Sequence, residues 1–295
     1  MARSVSTRSV KKAGAAVLKH AFLIVMALIS IYPVLWVIAI AFSPGESLTP
    51  PDLAFGIIPV PSSFTTVHFT SLLQLTVGNG SNFPLWVRNS AIITVSSVLG
   101  AVALTLPAGY AFSRRRFKGQ QISMFSFLLP TMFPGVVLII PQYLLFSSFH
   151  LVGTFFAVII PYMVGSLSLS IFIMKSAFDS IPKEIDEAAM IDGAGELRIF
   201  TRMLLPLTLP SIATVSLWAF MGSWLDFALA HVMLADNSLW TLPLALFSLL
   251  GGSTSPSYYG SFSAMALVMA VPVFVVFMVF QKYLVTGLTA GSVKG

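Results

Sequence analysis

The stretch IPKEIDEAAMIDGAGELRIFTRMLLP, residues Ile181–Pro206, is a charged segment between two long apolar runs. The loop that contains it, Ala177–Pro206, carries six of the ten acidic residues of the chain. Apolar runs of about twenty residues are typical of membrane spans, and charge collects in the aqueous loops that join them. The segment is therefore predicted to be a water-exposed loop at the ends of two spans.

This loop has the signals of a short amphipathic helix. Ser180 can cap a helix, and three carboxylates then lie in its first turns, where they suit the helix dipole: Glu184, Asp186 and Glu187. Gly193 and Gly195 interrupt the helix, and Glu196–Leu205 restarts it. One face at helical spacing holds Ile185, Ala188, Ala189 and Asp192. Its small side chains favour close approach by a protein partner over binding to lipid headgroups.

The composition of the whole chain agrees with a membrane protein. Of the 295 residues, 57% are hydrophobic and 9% are charged, and the mean hydropathy is +0.92. A soluble domain carries roughly 25% charged residues, so a soluble globular fold is excluded. The absence of cysteine excludes disulfides and thiolate sites, and four histidines show no metal-ligand spacing: His20, His68, His150 and His231. We therefore predict an all-α membrane protein without a metal site.

Six segments are long and apolar enough to span a bilayer. They are Phe22–Phe42, Asn89–Phe112, Ile122–Phe146, Thr154–Met174, Leu207–Leu234 and Phe262–Leu284. The third contains Pro130, Pro134 and Pro141, and proline at membrane depth frees backbone carbonyls that neighbouring helices or a cavity must satisfy. We expect a bent or broken helix there.

The basic residues set the orientation of these spans. With six spans, fifteen of the sixteen Lys and Arg residues fall on one side, and Arg88 alone falls on the other. This asymmetry follows the positive-inside rule, so both termini are predicted to be cytoplasmic. The first span is longer than a signal-peptide core and lacks a clean cleavage site, so we interpret it as an uncleaved helix.

These assignments divide the chain into five parts. They are a cytoplasmic N-terminal segment (1–21), a first transmembrane helix (22–42), an external loop (43–88), a five-helix core (89–284) and a cytoplasmic tail (285–295). The core includes the charged cytoplasmic loop 177–206 and an external loop 235–261. Loops this long are either functional or solvated connectors, and for the two external loops both interpretations stay open.

Asp226 is the one acidic residue within a predicted span. An aspartate at the bilayer centre costs about 2.5–3.5 kcal/mol on translocon scales, which makes such a residue a functional candidate. Its carboxylate could accept sugar hydroxyls while the nearby Trp224 stacks on a sugar face, so the two form a candidate substrate path. In the alternative interpretation, Asp226 caps or ties a helix end.

Three motifs in the charged loop resemble the EAA loop of bacterial ABC-importer permeases: Glu187-Ala188-Ala189, Asp192-Gly193-Ala194 and Leu205-Pro206. The resemblance extends to Ala108–Phe112 with the basic cluster Arg114–Lys118, and to Pro134. The tail Gly287–Gly295 resembles the terminus of MalG-type subunits of maltose importers. The chain is thus similar to the binding-protein-dependent transport system inner membrane components, whose fold is the type I ABC-importer permease architecture.

The resemblance implies two contacts with a cytoplasmic ATPase. The first is a coupling surface formed by Glu187, Ala188, Ala189, Asp192, Gly193 and Ala194, in which Gly193 gives the turn. The second is a C-terminal contact formed by Gly287, Leu288, Thr289, Ala290, Gly291, Val293, Lys294 and Gly295. For that tail, the small residues alone would favour a frayed end.

The resemblance also implies the partners and the cargo. The partners are a MalF-like permease, two MalK-like ATPases, an extracytoplasmic solute-binding protein and membrane lipid, without nucleic acid. The cargo is an oligosaccharide of the maltose, maltodextrin or trehalose type, imported across the bacterial cytoplasmic membrane. The chain contains no G-x-x-x-x-G-K-[ST] run, so we expect it to have no catalytic residues and no cofactor. ATP and Mg²⁺ would bind to the partner ATPase.

Three other classes of protein fit the sequence less well. A secondary transporter tends to show inverted repeats and ion-coupling charges at the midplane, which this sequence lacks. A membrane-embedded hydrolase needs a metal-ligand cluster or a Ser/His/Asp set, and the histidines are too dispersed for either. A channel for a small solute is compatible with the spans but would not explain the charged cytoplasmic helix.

Overall fold

The computed structural model describes residues 7–46, 52–54, 58–61, 63–77, 80–250 and 258–291. The fold is almost entirely helical over this part of the chain, which confirms the all-α prediction. The α-helices are α1 Thr7–Phe42, α2 Val67–Gln74, α3 Phe83–Arg114, α4 Gln120–Leu128, α5 Gly135–Ser148, α6 Phe156–Asp179, α7 Glu184–Ile191, α8 Glu196–Arg198, α9 Leu205–Leu207, α10 Leu209–Trp224, α11 Ala228–Met233, α12 Leu242–Ser248 and α13 Tyr259–Gly291.

Shorter elements join these helices. Two 3₁₀ turns cover Leu129–Met132 and Asn237–Leu239, and a π-helical segment covers Ile199–Leu204 between α8 and α9. Two antiparallel pairs of short strands lie in the predicted external loop: β1 Asp52–Ala54 with β2 Ile58–Val60, and β3 Thr76–Val77 with β4 Ser81–Asn82. That loop is therefore structured in part, and α2 lies between the two strand pairs in sequence.

Four of the described helices are single segments long and apolar enough to cross a membrane, namely α1, α3, α6 and α13. Two bent helix pairs pass the same test, which brings the count to six if each pair is one span. Most side chains of α1 from Val17 to Leu35 are apolar and exposed, as expected for a helix that faces lipid. One pair matches the third predicted span, whereas the other, Glu196–Leu207 with Leu209–Trp224, begins within the predicted cytoplasmic loop.

The predicted break in the third span is confirmed. Gln120–Met132 and Gly135–Ser148 meet at an angle of 104°. Phe133 has an extended backbone, with φ −96° and ψ 138°, because the ring of Pro134 disfavours helical geometry in the preceding residue. Proline therefore breaks this span at Pro134, whereas Pro141 lies inside α5 without ending it.

The prediction of one continuous fifth helix over Leu207–Leu234 is wrong. Helix α10 ends at Trp224 and α11 begins at Ala228. Asp226 lies in the break, where its Oδ1 accepts the backbone N–H groups of Leu229 at 3.0 Å and Ala230 at 3.3 Å. These bonds satisfy donors that a continuous helix would bond internally, so the carboxylate stabilises a new helix start.

The prediction that Ser180 caps the cytoplasmic helix is also wrong. Ser180 lies at the C-terminal end of α6, and its hydroxyl donates to the carbonyl of Ala177 at 2.7 Å. Lys183 takes the N-cap position of α7 without a side-chain cap bond. Because α6 continues to Asp179, beyond the predicted end of its span, the hydroxyl of Ser180 is used to finish that helix.

The contacts divide the chain into two compact units. The first comprises the described residues of Met1–Leu72 and Leu249–Val268, and the second those of Leu73–Ser248 and Met269–Gly295. In the first unit, the ring of Phe42 stacks on Phe64 at 4.7 Å, and the backbone N–H of Thr65 donates to the Phe42 carbonyl at 2.9 Å. The end of α1 is thereby tied to the segment that leads into α2.

The core of the second unit is formed by α3, α6 and α10, which pack against one another. Helices α3 and α6 approach closely at Gly109, where a Cβ atom would lie 2.7 Å from the Cβ of Met174. Small residues allow such close helix packing in membranes. Two apolar clusters extend this core, one around Met174 and Phe178 beside the charged loop, and one around Val158 and Met233.

Candidate coupling site

Helix α7 begins and ends as its sequence dictates. Glu184, Asp186 and Glu187 lie in its first turn, where the exposed N–H groups favour negative charge. At its end, the N–H of Gly193 donates to the Met190 carbonyl at 3.0 Å and that of Ala194 to Ala189 at 2.9 Å. Gly193 has a φ of 79°, so the helix ends in a Schellman motif that needs the left-handed backbone glycine allows.

The two faces of α7 have different environments. Ala189 is 5% exposed and packs, with the partly buried Ile185, into the cluster around Phe178 and Ile199. The opposite face is exposed, and it includes four of the predicted coupling residues together with two large apolar side chains: Glu187, Ala188, Asp192, Gly193, Met190 and Ile191. Ala194 is half-buried. The predicted coupling surface is therefore exposed except at Ala189 and, in part, Ala194.

A buried ion pair joins α7 to the end of α3. Arg114 Nε lies 2.6 Å from Asp186 Oδ2, and the two side chains are 6% and 10% exposed. Arg114 Nε has no hydrogen-bond partner among the described residues, so its contact with Asp186 is an ion pair. Arg114 Nη2 also donates to the carbonyl of Ile181 at 3.0 Å. One guanidinium thus holds both the start of α7 and the turn that precedes it.

A second, exposed contact joins the same end of α3 to α8. Arg115 Nε donates to Glu196 Oε1 at 3.1 Å and Nη2 pairs with Oε2, while the hydroxyl of Tyr110 donates to Oε1 at 3.3 Å. The hydrogen bonds to Glu196 raise the pKa of the Arg115 guanidinium above its usual value. Because both charged side chains are largely exposed, this pair stabilises the loop much less than the buried one does.

The sequence did not predict these contacts. In the sequence, Arg114 and Arg115 indicate the orientation of the spans, and Asp186 suits the dipole at a helix start. The available signal was the placement of opposite charges in two loops on the same predicted side of the membrane. Only the fold shows that Arg114 pairs with Asp186 while Glu184 and Glu187 remain exposed.

The candidate substrate path, Trp224 and Asp226, is occupied by internal contacts. Trp224 is 4% exposed, its indole N–H donates to the Met269 carbonyl at 3.1 Å, and its ring stacks on Phe220. Asp226 Oδ1, which caps α11, also accepts the Tyr162 hydroxyl at 2.8 Å. This geometry favours the helix-capping alternative for Asp226 and a packing role for Trp224. A substrate contact at Asp226, which is half-buried, stays a prediction.

The described part of the second external loop is fixed to the start of α3. Asn89 donates to the carbonyls of Ser238 at 2.8 Å and Trp240 at 3.1 Å, and the Trp86 indole donates to Asn237 at 3.1 Å. Asp236 accepts the N–H of Ser238 at 2.8 Å, which holds the pKa of its carboxyl below the usual range. Residues 236–240 are therefore ordered by side chains of α3.

A cavity of about 600 Å³ opens between the broken third span and α6. Aromatic and aliphatic side chains make most of its wall, including Phe127, Phe133 and Phe146, and its polar side chains are Thr131, Gln142 and Ser168. No charged residue lines it within the described chain. The cavity therefore suits an uncharged ligand or an apolar helix better than an ion.

The predicted C-terminal contact lies mostly outside what can be described. Helix α13 continues to Gly291, so Gly287, Leu288, Thr289, Ala290 and Gly291 have a helical backbone whose side chains are not described. Val293, Lys294 and Gly295 lie outside the described residues. Elsewhere in the described part of the chain, no three His, Cys, Asp or Glu residues are grouped so as to hold a metal ion.

Comparison with known proteins finds relatives that match almost the whole chain. The chain is 36% identical to the galactooligosaccharides transport system permease protein GanQ of Bacillus subtilis, over 92% of both chains. It is 34% identical to the maltodextrin transport system permease protein MdxG of the same organism, over 94% of this chain and 95% of that one. It is 32% identical to the maltose/maltodextrin transport system permease protein MalG of Escherichia coli, over 94% and 95%.

The fold has a solved counterpart as well. A chain of a bacterial ABC transporter involved in the import of the acidic polysaccharide alginate superposes with a TM-score of 0.79, covering 95% of this chain and 99% of that one at 23% identity. The family described as binding-protein-dependent transport system inner membrane component matches residues 101–290. That match covers both sides of the ion pair, from α3 through α7 to α13. The chain is thus a multi-pass protein of the cytoplasmic membrane that belongs to the binding-protein-dependent transport system inner membrane component family.

Proposed function

We propose that this chain is the permease subunit of an ATP-driven importer for an uncharged oligosaccharide of the maltose, maltodextrin or trehalose type. The observation that carries the proposal is helix α7, which is fixed to the spans on one face and exposed on the other. A helix held this way can receive a push from a partner and pass it to the spans. A freely solvated loop could not do so.

In this proposal, a cytoplasmic ATPase binds the exposed face of α7. The apolar side chains of Met190 and Ile191 would enter a groove of the ATPase, with Glu187 and Asp192 beside them. The buried pair of Arg114 and Asp186 would carry the displacement of α7 into α3. Packed helices respond to such a displacement by rigid-body rotation or shear, which suits alternating access.

The cargo is inferred from two kinds of support. The relatives named above carry galactooligosaccharides, maltodextrin or maltose in their names. The cavity beside α6 has no charged residue in its described wall, and a charged ligand would lose its hydration there without a compensating partner. An uncharged sugar avoids the larger penalty of burying a charge, and Thr131, Gln142 and Ser168 offer hydrogen-bond partners for some of its hydroxyl groups.

The remaining parts of the importer are proposed partners. A homologous permease of MalF type would complete the translocation path, and an extracytoplasmic solute-binding protein would deliver the sugar. Two copies of a MalK-like ATPase would bind ATP and Mg²⁺ and hydrolyse ATP. Within the chain itself, no residue is assigned a catalytic or cofactor-binding role.

Affinity purification of the tagged chain from native membranes, followed by mass spectrometry, tests the assembly. We expect an ATPase and a second multi-span permease to be recovered with it. The reconstituted complex should import maltose, maltotriose or trehalose into proteoliposomes only with ATP and the solute-binding protein. Recovery of the chain alone with ATP-independent uptake would overturn the proposal in favour of a secondary transporter or a channel.

A pair of matched variants tests the role of α7 within that complex. Glu187→Lys should abolish sugar-dependent ATP hydrolysis while leaving membrane insertion intact, because it reverses a charge on the exposed face. Glu184→Lys makes the same change one turn earlier, outside the coupling surface, and should retain most of the activity. Equal activity of the two variants would refute the assignment of the coupling surface.

A further inference from the structure

A buried histidine lies between three segments of the first unit. His68, on α2, is 4% exposed. Its Nε2 lies 2.9 Å from the backbone carbonyl of Ser43, just after α1, and its Nδ1 lies 3.3 Å from Oε1 of Glu46. Both ring nitrogens therefore face oxygen atoms of the segment that follows α1.

Glu46 also binds the first turn of α13. Its Oε2 accepts the backbone N–H groups of Gly260 at 2.6 Å and Ser261 at 3.4 Å, and its Oε1 accepts the Ser261 hydroxyl at 3.2 Å. The first N–H groups of a helix have no acceptor within the helix, so this carboxylate acts as a cap supplied by a distant segment.

The two acceptors determine which ring hydrogens of the histidine make favourable contacts. A carbonyl oxygen can only accept a hydrogen bond, so Nε2 must carry a hydrogen. A carboxylate can also only accept, so a hydrogen on Nδ1 gives an attractive contact and a lone pair there gives a repulsive one. We propose that Glu46 and His68 form a proton-binding site, in which a protonated imidazole locks the end of α1 to the start of α13.

The described elements next to this site contribute few charged side chains. Helix α2 and strand β2 contain no acidic or basic side chain besides His68, and the first turns of α13 contribute Tyr259, Gly260 and Ser261. A Cβ atom at Gly260 would lie 2.2 Å from the His68 ring, so glycine is needed for the imidazole to fit. The close fit of the imidazole against Gly260 and the hydrogen bonds of His68 and Glu46 both indicate a specific site.

The direction of the pH effect follows from the proton count. The protonated imidazole makes both contacts, while the neutral one loses the contact to Glu46. The lock is therefore complete when the imidazole is protonated and weaker when it is neutral. The positive-inside rule places this site on the external side, so the lock would respond to the pH outside the cell.

Hydrogen–deuterium exchange on the complete, co-purified complex tests the proposal directly. The amides of Gly260 and Ser261 are protected by Glu46 and by no helical carbonyl, so their protection reports the lock. Imidazole titrates between about pH 5 and 8, so measurements at about pH 5.5 and 8.5 bracket the transition. After correction for intrinsic exchange rates, we expect protection of these two amides to be lost at the higher pH.

Three variants make the result specific to the proton. His68→Gln cannot ionise, so protection at Gly260 and Ser261 should no longer depend on pH, and His68→Asn should behave alike. Glu46→Ala should lose the protection at both pH values. Protection of the buried part of α6 serves as the reference for an intact fold. Wild-type protection that is independent of pH, or an unchanged pH dependence in both histidine variants, would overturn the proposal.

Discussion

Substitution of Asp186 by asparagine tests whether the buried ion pair holds the coupling helix. The change keeps the shape of the side chain and removes its charge, so the buried guanidinium of Arg114 loses the carboxylate that lies 2.6 Å from it. Both side chains are at most 10% exposed, so solvent screens the pair little. The variant isolates the charge from the packing of α7.

The expected magnitude follows from the surroundings of Arg114. Breaking a buried pair by removing one partner costs about 3–5 kcal/mol. Arg114 keeps its bond to the Ile181 carbonyl at 3.0 Å, so we expect a value near the lower end of that range. Since about 1.4 kcal/mol corresponds to a factor of ten, undocking of α7 should become on the order of 100-fold more frequent.

Limited trypsin digestion of inside-out vesicles measures this undocking. Lys183 is exposed at the start of α7, and cleavage after it follows the population of the open state when closing is faster than cleavage. Asp186→Asn should raise the cleavage rate on the order of 100-fold and reduce ATP-driven uptake. Glu184→Gln, which removes an exposed charge from the same helix turn, should change it little.

A double substitution tests whether the instability of Asp186→Asn comes from the unpaired charge of Arg114. Arg114→Met with Asp186→Leu replaces both partners by apolar side chains, a change that is often neutral in buried pairs. The double variant should therefore recover most of the protection lost in Asp186→Asn. A cleavage rate in Asp186→Asn equal to that of Glu184→Gln would refute the reasoning, because α7 would then be held by its apolar contacts alone.

Three further substitutions test other contacts of the fold. Gly193→Ala places a side chain at a φ of 79°, which costs about 1–2 kcal/mol, so trypsin cleavage after Lys183 should rise. Gly195→Ala is the control and should be neutral, because Gly195 has a φ of −71°. Gly109→Ala puts a Cβ atom 2.7 Å from the Cβ of Met174, so it should lower the thermal unfolding temperature of the purified chain. Gly222→Ala serves as the control, because a Cβ atom at Gly222 would meet open space. Asn89→Ala removes the hydrogen bonds to the carbonyls of residues 238 and 240 and should accelerate hydrogen exchange in this segment. Asn237→Ala should not, because the Trp86 indole bonds the backbone carbonyl of Asn237 and the substitution keeps that carbonyl.

Features that depend on local sequence were predictable. Pro134 was expected to break the third span, and it does so because a proline constrains the residue before it wherever it lies in the fold. The glycine after α7 was expected to end that helix, and it does so with a left-handed backbone that depends on little beyond the residue type. The break at Asp226 was missed because its cause is a side-chain cap within an apolar run that hydropathy treats as continuous.

The sequence by itself determined the membrane class, the six candidate spans, the break at Pro134 and the resemblance to ABC-importer permeases, because hydropathy, proline geometry and short motifs are local properties. The tertiary structure decided which charges meet. Arg114 and Asp186 lie 72 residues apart in sequence. Glu46 lies 22 residues from His68 and more than 200 residues from the start of α13. Partners so distant in sequence are chosen by the packing of whole helices, which no local pattern encodes.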